Sequence, residues 1–162
     1  MTGKDLARMY EFSYAALNRN LQDLNHEDTV VLPDGGGNCL NWVLGHVVTA
    51  RRTVLMLAGA TPTLAGEGMA VYHRGSHPEG TDGFADLAKL RAMFDETQKQ
   101  LIPALAALSE EALNSSVPEQ HRRPPLTGTI GEALIRLHYH EGYHNGQIGL
   151  LRRIAGREGA IR

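Results

Sequence analysis

The sequence predicts an all-α fold, a four-helix bundle with a long crossover loop between helices 2 and 3, forming a single domain over residues 1–162. Three observations predict it. Apolar residues recur at helical spacing in four long segments, no segment alternates as a half-buried strand would, and the Gly, Pro, Asn and Asp residues gather between the segments. A chain of 162 residues is long enough to bury one core.

The first helix is expected over residues 4–24, where Leu6, Met9, Tyr10, Ser13, Leu17, Leu21 and Leu24 recur at helical spacing. The turn NHEDTVVLPDGGGN follows. The second helix, CLNWVLGHVVTARRTVLMLAG, is expected to open on Asn38 as N-cap and to stop at Gly59. Residues 59–82 hold five glycines, two prolines and no helical period, and form the crossover. Asp82 is the expected cap of a third helix carrying Leu87, Leu90, Phe94, Thr97, Leu101, Leu105 and Leu108, with a kink or break at Pro103. A loop over 114–128 leads to the fourth helix. Its start, Thr129-Ile130-Gly131-Glu132, fits a capping box, and its end places Gly156 after Arg152 and Arg153.

The bulk chemistry narrows the function. A formal net charge of −2 provides no basic face, so no nucleic-acid partner is expected. Cys39 is the single cysteine, which rules out an internal disulfide and a thiolate-rich zinc site. The start MTGKDLARMYEF lacks the apolar core of a signal peptide, and no run approaches the ~20 apolar residues of a membrane span. A cytoplasmic location without a membrane partner is therefore expected.

The eight histidines are the compositional oddity. His140 and His144 lie four residues apart, hence about 40° from each other on one helix face, which they share with Leu137, Ile148 and Leu151. Two inward imidazoles one turn apart can converge on one ion. Taken alone, the pair is equally well read as two separately satisfied core histidines. His46, in an apolar stretch of the second helix, is a third inward candidate. Three histidine ligands with an open position describe a reactive divalent transition-metal site rather than a closed structural one.

The other histidines fit less well. His138 points about 200° away from His140, and His26 and His121 sit in polar turns. His73 and His77 lie in the crossover, where they could reach a substrate. HEGYH also matches the HExxH zincin pattern, with Glu141 as general base. The longer metzincin pattern fails at Gln147 and Leu150, and Glu158 is the lone later carboxylate available as a ligand. Around the site, Gln147 could hydrogen-bond a ligand, Trp42 could roof the ion, and Glu141 could act as base or face solvent, the second being favoured. Cys39 lies about 10 Å along the axis from His46, too far to ligate.

NWVLGH on one helix and HEGYHNGQIGLLRR on a late one, with HRGS in the crossover between them, resemble the DinB-like (DinB/YfiT) superfamily over most of the chain. The resemblance implies a four-helix bundle holding one divalent metal, Ni2+ or Zn2+, through His46, His140 and His144. Some relatives are thiol-dependent transferases or isomerases using bacillithiol, mycothiol or glutathione. By resemblance the expected partners are a small-molecule substrate and a low-molecular-weight thiol, and the expected activity is metal-dependent thiol S-transfer to small electrophiles. A non-catalytic metal or small-ligand bundle and a metal-dependent hydrolase are the alternatives.

Gly131, Gly142, Gly146 and Gly149 fall about 180–240° from His140, on the back of the fourth helix. Each interior glycine costs about 0.5–1 kcal/mol relative to alanine, a penalty that a close helix contact would offset. A homodimer interface is expected there, with internal packing as the alternative.

Overall fold

The computed structural model describes residues 1–63, 68–76, 80, 82–124 and 126–161. Six α-helices follow one another: α1 (Gly3–Asn20), α2 (His26–Thr29), α3 (Leu40–Leu57), α4 (Leu87–Ala106), α5 (Glu110–Asn114) and α6 (Ile130–Ile154). Among the described residues there is no strand, only isolated bridges between Ser116 and Thr129 and between Arg123 and Leu126. The four long helices make the bundle. α1 packs on α4 and α6, and α3 packs on the same two helices from the other side, so α1 and α3 are diagonal partners. This arrangement lays α3 directly against α6, which brings His46 within reach of His140 and His144.

Local signals set most of the helix ends. Thr2 and Asp5 form a reciprocal capping box at α1, and Thr129 and Glu132 form the expected one at α6. Four expected boundaries shift. The first helix ends at Asn20 rather than 24, because the chain turns through Asp23, whose φ of 57° lies in the left-handed region. Asn25 and Asp28 then cap the short α2 where only a turn was expected. Cys39, not Asn38, is the N-cap of α3, and its side chain makes no capping bond. The third long helix begins after Asp86 rather than Asp82, since Ala85 is tied into the crossover by Tyr72 and Asn41. Helix α4 runs through Pro103, which sits in its last turn, and ends at Ala106. The expected loop over 114–128 carries a 3₁₀ turn at Glu119–His121.

The core divides into two apolar clusters. One gathers Leu17, Leu21, Leu44, Val48, Leu90, Phe94 and Ile148; the other gathers Leu6, Tyr10, Val54, Leu101, Leu105 and Leu134. Along each long helix the same gap separates them, and it is filled by Ser13 on α1, Arg51 on α3, Thr97 and Gln98 on α4, and Glu141 on α6. A polar layer therefore crosses the bundle at mid-height.

Candidate metal centre

His46 from α3 and His140 and His144 from α6 converge through their Nε2 atoms at the edge of this layer. His140 Nε2 stands 3.2 Å from His46 Nε2 and 3.0 Å from His144 Nε2. Nitrogens about 2.0–2.1 Å from a shared ion would stand roughly 3.0 Å apart at right angles and roughly 3.4 Å apart at tetrahedral angles. The observed separations fall inside that window. They are the one cluster of at least three ligand-type side chains found among the described residues.

The tautomers favour the same reading. His46 Nδ1 donates to the Tyr72 carbonyl at 2.8 Å, and His144 Nδ1 donates to Gln147 Oε1 at 2.7 Å. Each ring, when neutral, therefore presents an Nε2 lone pair toward His140. One proton on His140 Nε2 would have to serve both lone pairs, and His140 Nδ1 is buried with no hydrogen-bond partner among the described residues. A cation among the three Nε2 atoms relieves this opposition of lone pairs, so the donor set fits a divalent metal. The Tyr72 and Gln147 oxygens are the kind of outer partner that holds a metal-ligating imidazole in orientation.

Burial lowers the proton affinity of all three rings. His140 is pushed down to about 4, by desolvation first and then by the neighbouring His144 and His46. His46 is lowered mainly by desolvation, with the charges of His73 and Arg74 adding to it, and His144 is lowered by desolvation. At neutral pH the rings are uncharged, the state in which imidazole binds metal.

The motif NWVLGH is legible once the crossover is in place. Asn41 accepts from the Tyr72 hydroxyl at 3.0 Å and donates to the Ala85 carbonyl at 2.9 Å. Trp42 donates from Nε1 to the Val71 carbonyl at 2.8 Å and stacks on His46, with ring centroids 4.9 Å apart and planes 9° from parallel. Gly45 leaves room for the Tyr72 ring, where any Cβ would collide with it. That close approach puts the Tyr72 carbonyl on His46. Sequence reasoning did not single out Asn41, Gly45 or Tyr72; the signal available was a glycine inside an otherwise apolar helix next to a histidine.

Glu141 corrects an expectation. It neither faces solvent nor is placed to act as a base, because its carboxylate is buried at 3% exposure and fully engaged. Oε1 accepts from Ser13 Oγ at 2.6 Å and from Arg51 Nη2 at 2.7 Å, and Oε2 accepts from Arg51 Nε at 2.8 Å. The zincin reading of HEGYH loses its general base to this ion pair. The later carboxylate, Glu158, lies beyond the end of α6 and is not part of the ligand-type group that gathers His46, His140 and His144.

Among the remaining histidines, His138 Nε2 is 3.1 Å from the Met9 carbonyl, turned toward α1 and away from the cluster. His26 is half-buried at the start of α2, and His121 lies in the 3₁₀ turn. His73 is exposed and lines a cavity of about 600 Å³ that also opens onto His46 and His140. His77 lies outside the described residues. Cys39 is buried at the head of α3, and burial raises its thiol pKa.

The glycines on the back of α6 divide. Gly131 lies against Leu113 and Gly149 against Asn20, whereas a Cβ at Gly142 or Gly146 would meet nothing within 4 Å. Internal packing therefore accounts for the outer two and not for the central two. No helix among the described residues is long and apolar enough to cross a membrane.

Comparison with known proteins places this architecture. No curated protein matches the chain. The crystal structure of a conserved protein from Enterococcus faecalis superposes with a TM-score of 0.73 at 13% identity, covering 96% of this chain and 98% of that one. At that identity the likeness concerns the fold. The family model of the DinB superfamily matches residues 9–148, a span that holds all three clustered histidines, NWVLGH and the HEGYH opening of the later motif. The chain belongs to the DinB superfamily.

Proposed function

We propose that the chain binds one divalent transition metal, Zn2+ or Ni2+, through His46, His140 and His144, and uses it to transfer a low-molecular-weight thiol to a small electrophile. The observation that carries the metal reading is the convergence of three Nε2 atoms, two of them with their Nδ1 already engaged by an oxygen acceptor. Three neutral imidazoles suit either metal. A divalent ion with an open position supplies Lewis acidity, which lowers the pKa of a thiol or water reaching it.

The chain's own residues prepare that position. The Tyr72 carbonyl and Gln147 fix two rings in the ligating tautomer. Trp42 covers one face of His46 and keeps water from it. The adjoining cavity, about 600 Å³, is the size of a small-molecule site. With Glu141 locked to Arg51, no carboxylate among the described residues lines that cavity, and His73 is the imidazole on its wall outside the cluster.

The test compares metal-loaded wild type with His144→Ala across a panel of thiols and electrophiles. Wild type should accelerate thiol consumption and the variant should not. Equal rates in both proteins would remove the transferase reading and leave a binder or a hydrolase.

The proposed assembly is a homodimer through the outer face of α6. Ile135, Tyr139, Tyr143, Leu150 and Ile154 are exposed there at helical spacing, with Gly142 and Gly146 open between them.

A further inference from the structure

We infer that the cavity beside the three histidines binds an anionic small molecule, gripping its carboxylate or phosphate oxygens with Arg52, Arg74, Arg123 and Arg136. The inference rests on the reading above, because the same cavity would present the bound molecule to the metal centre.

Four separate parts of the chain deliver these arginines. Arg52 comes from α3, Arg74 from the crossover, Arg123 from the loop before α6, and Arg136 from α6 itself. Among the described residues no aspartate or glutamate lines the cavity. This is not the charge balance of the chain, which has 18 acidic residues against 16 lysines and arginines. Elsewhere three arginines form ion pairs, Arg51 with Glu141, Arg157 with Asp28 and Arg8 with Asp5. Among the described residues Arg52, Arg74 and Arg123 have no such ion pair. Arg136 gives one N–H to the Thr127 carbonyl at 2.7 Å.

Like charges gathered around a concavity repel one another, and the concavity focuses their field on its interior. An anion reverses the sign of that energy. Guanidinium groups also match the paired oxygens of carboxylate and phosphate, which a lysine would meet only as a point charge. Met56 and Leu137 add apolar wall, so a carbon skeleton bearing anionic groups fits better than a bare inorganic ion. Arg74 lines the same cavity wall as His46 and His140. The anionic group and the metal would thus hold neighbouring parts of one molecule.

Calorimetric titration of the purified chain at low ionic strength tests this, with succinate, inorganic phosphate and the neutral isostere succinamide as probes. Wild type should bind succinate or phosphate saturably, and the stronger of the two identifies the group recognised. Succinamide should give no binding. Arg52→Gln combined with Arg74→Gln should weaken the anion at least tenfold, the corresponding double lysine variant should weaken it less, and Arg19→Gln at the end of α1 should leave it unchanged. Absence of saturable binding by both anions, or equal affinity in the double glutamine variant, would overturn the inference. Metal content is measured on the same samples. Anion binding by a chain that takes up no metal would sink the metal reading alone, and full metal uptake without anion binding would sink this one alone.

Discussion

Two polar regions share the middle of the bundle and resolve the cost of burying polarity in opposite ways. In the central layer every strong charge is answered inside the protein. Arg51, fully buried, gives Nε and Nη2 to Glu141, gives Nη1 to Gln98 at 2.8 Å, and lies with Cζ 4.0 Å from the Phe94 ring centroid. The three-histidine cluster, one residue along α6, is answered only on its outer side. Tyr72 and Gln147 take two Nδ1 protons, but the inner Nε2 atoms face one another and His140 Nδ1 has no partner among the described residues. A closed polar network specifies structure; one left open toward a cavity awaits a ligand.

The largest effect should come from breaking the closed region. Glu141→Leu leaves Arg51 charged and unpaired in the core, and should cost about 3–5 kcal/mol of stability by urea unfolding. Adding Arg51→Met should restore most of it, since a well-packed apolar pair replaces an ion pair at little net cost. A loss in the single variant no greater than that in the double would show that the pair is not the organising feature of the layer.

The open region should respond in affinity rather than stability. Gln147→Leu removes the acceptor that orients His144, and metal affinity should fall about 10–100-fold with the unfolding midpoint of the metal-free chain little changed. Competition with a chromogenic chelator reads this directly.

Acid separates the regions further. The folded pKa of His140, about 4, lies below the ~6.5 of an unfolded histidine, and His46 and His144 are lowered in the same direction. The unfolded chain therefore binds more protons over that interval. The stability contributed is complete above about pH 6.5 and is lost as pH falls toward about 4. Chelator-treated protein should have a lower urea midpoint at pH 5 than at pH 7, and His140→Leu should flatten the difference.

The outer face of α6 should give the smallest effect. Gly146→Leu places a side chain where the monomer offers open space, so it should leave the fold and the metal ligands intact while weakening self-association. Sedimentation of wild type and variant checks it; a wild type that is monomeric at high micromolar concentration would end the dimer proposal.

What the sequence made legible follows from how local each signal is. The Thr129–Glu132 box and the four-residue spacing of His140 and His144 are facts about one helix, and periodicity reads them well. The role of Glu141 escapes periodicity for the same reason. Helical position sets its direction, but its partner Arg51 is 90 residues away on a neighbouring helix, and no pattern within α6 announces it. The start of α4 was displaced by another distant pairing, that of Ala85 with Tyr72 and Asn41. The arginine-lined cavity was invisible because its four arginines are scattered through the sequence and meet only in the fold.

Elemental analysis of protein purified without a metal-affinity tag decides whether the three histidines hold a metal. Wild type should carry close to one divalent transition-metal ion per chain, as isolated or after incubation with Zn2+ or Ni2+ at neutral pH followed by desalting. His140→Leu should carry none while unfolding within about 1 kcal/mol of the metal-free wild type. A folded wild type that retains no stoichiometric metal, or a His140→Leu chain that retains as much, would rule out the three-histidine metal centre.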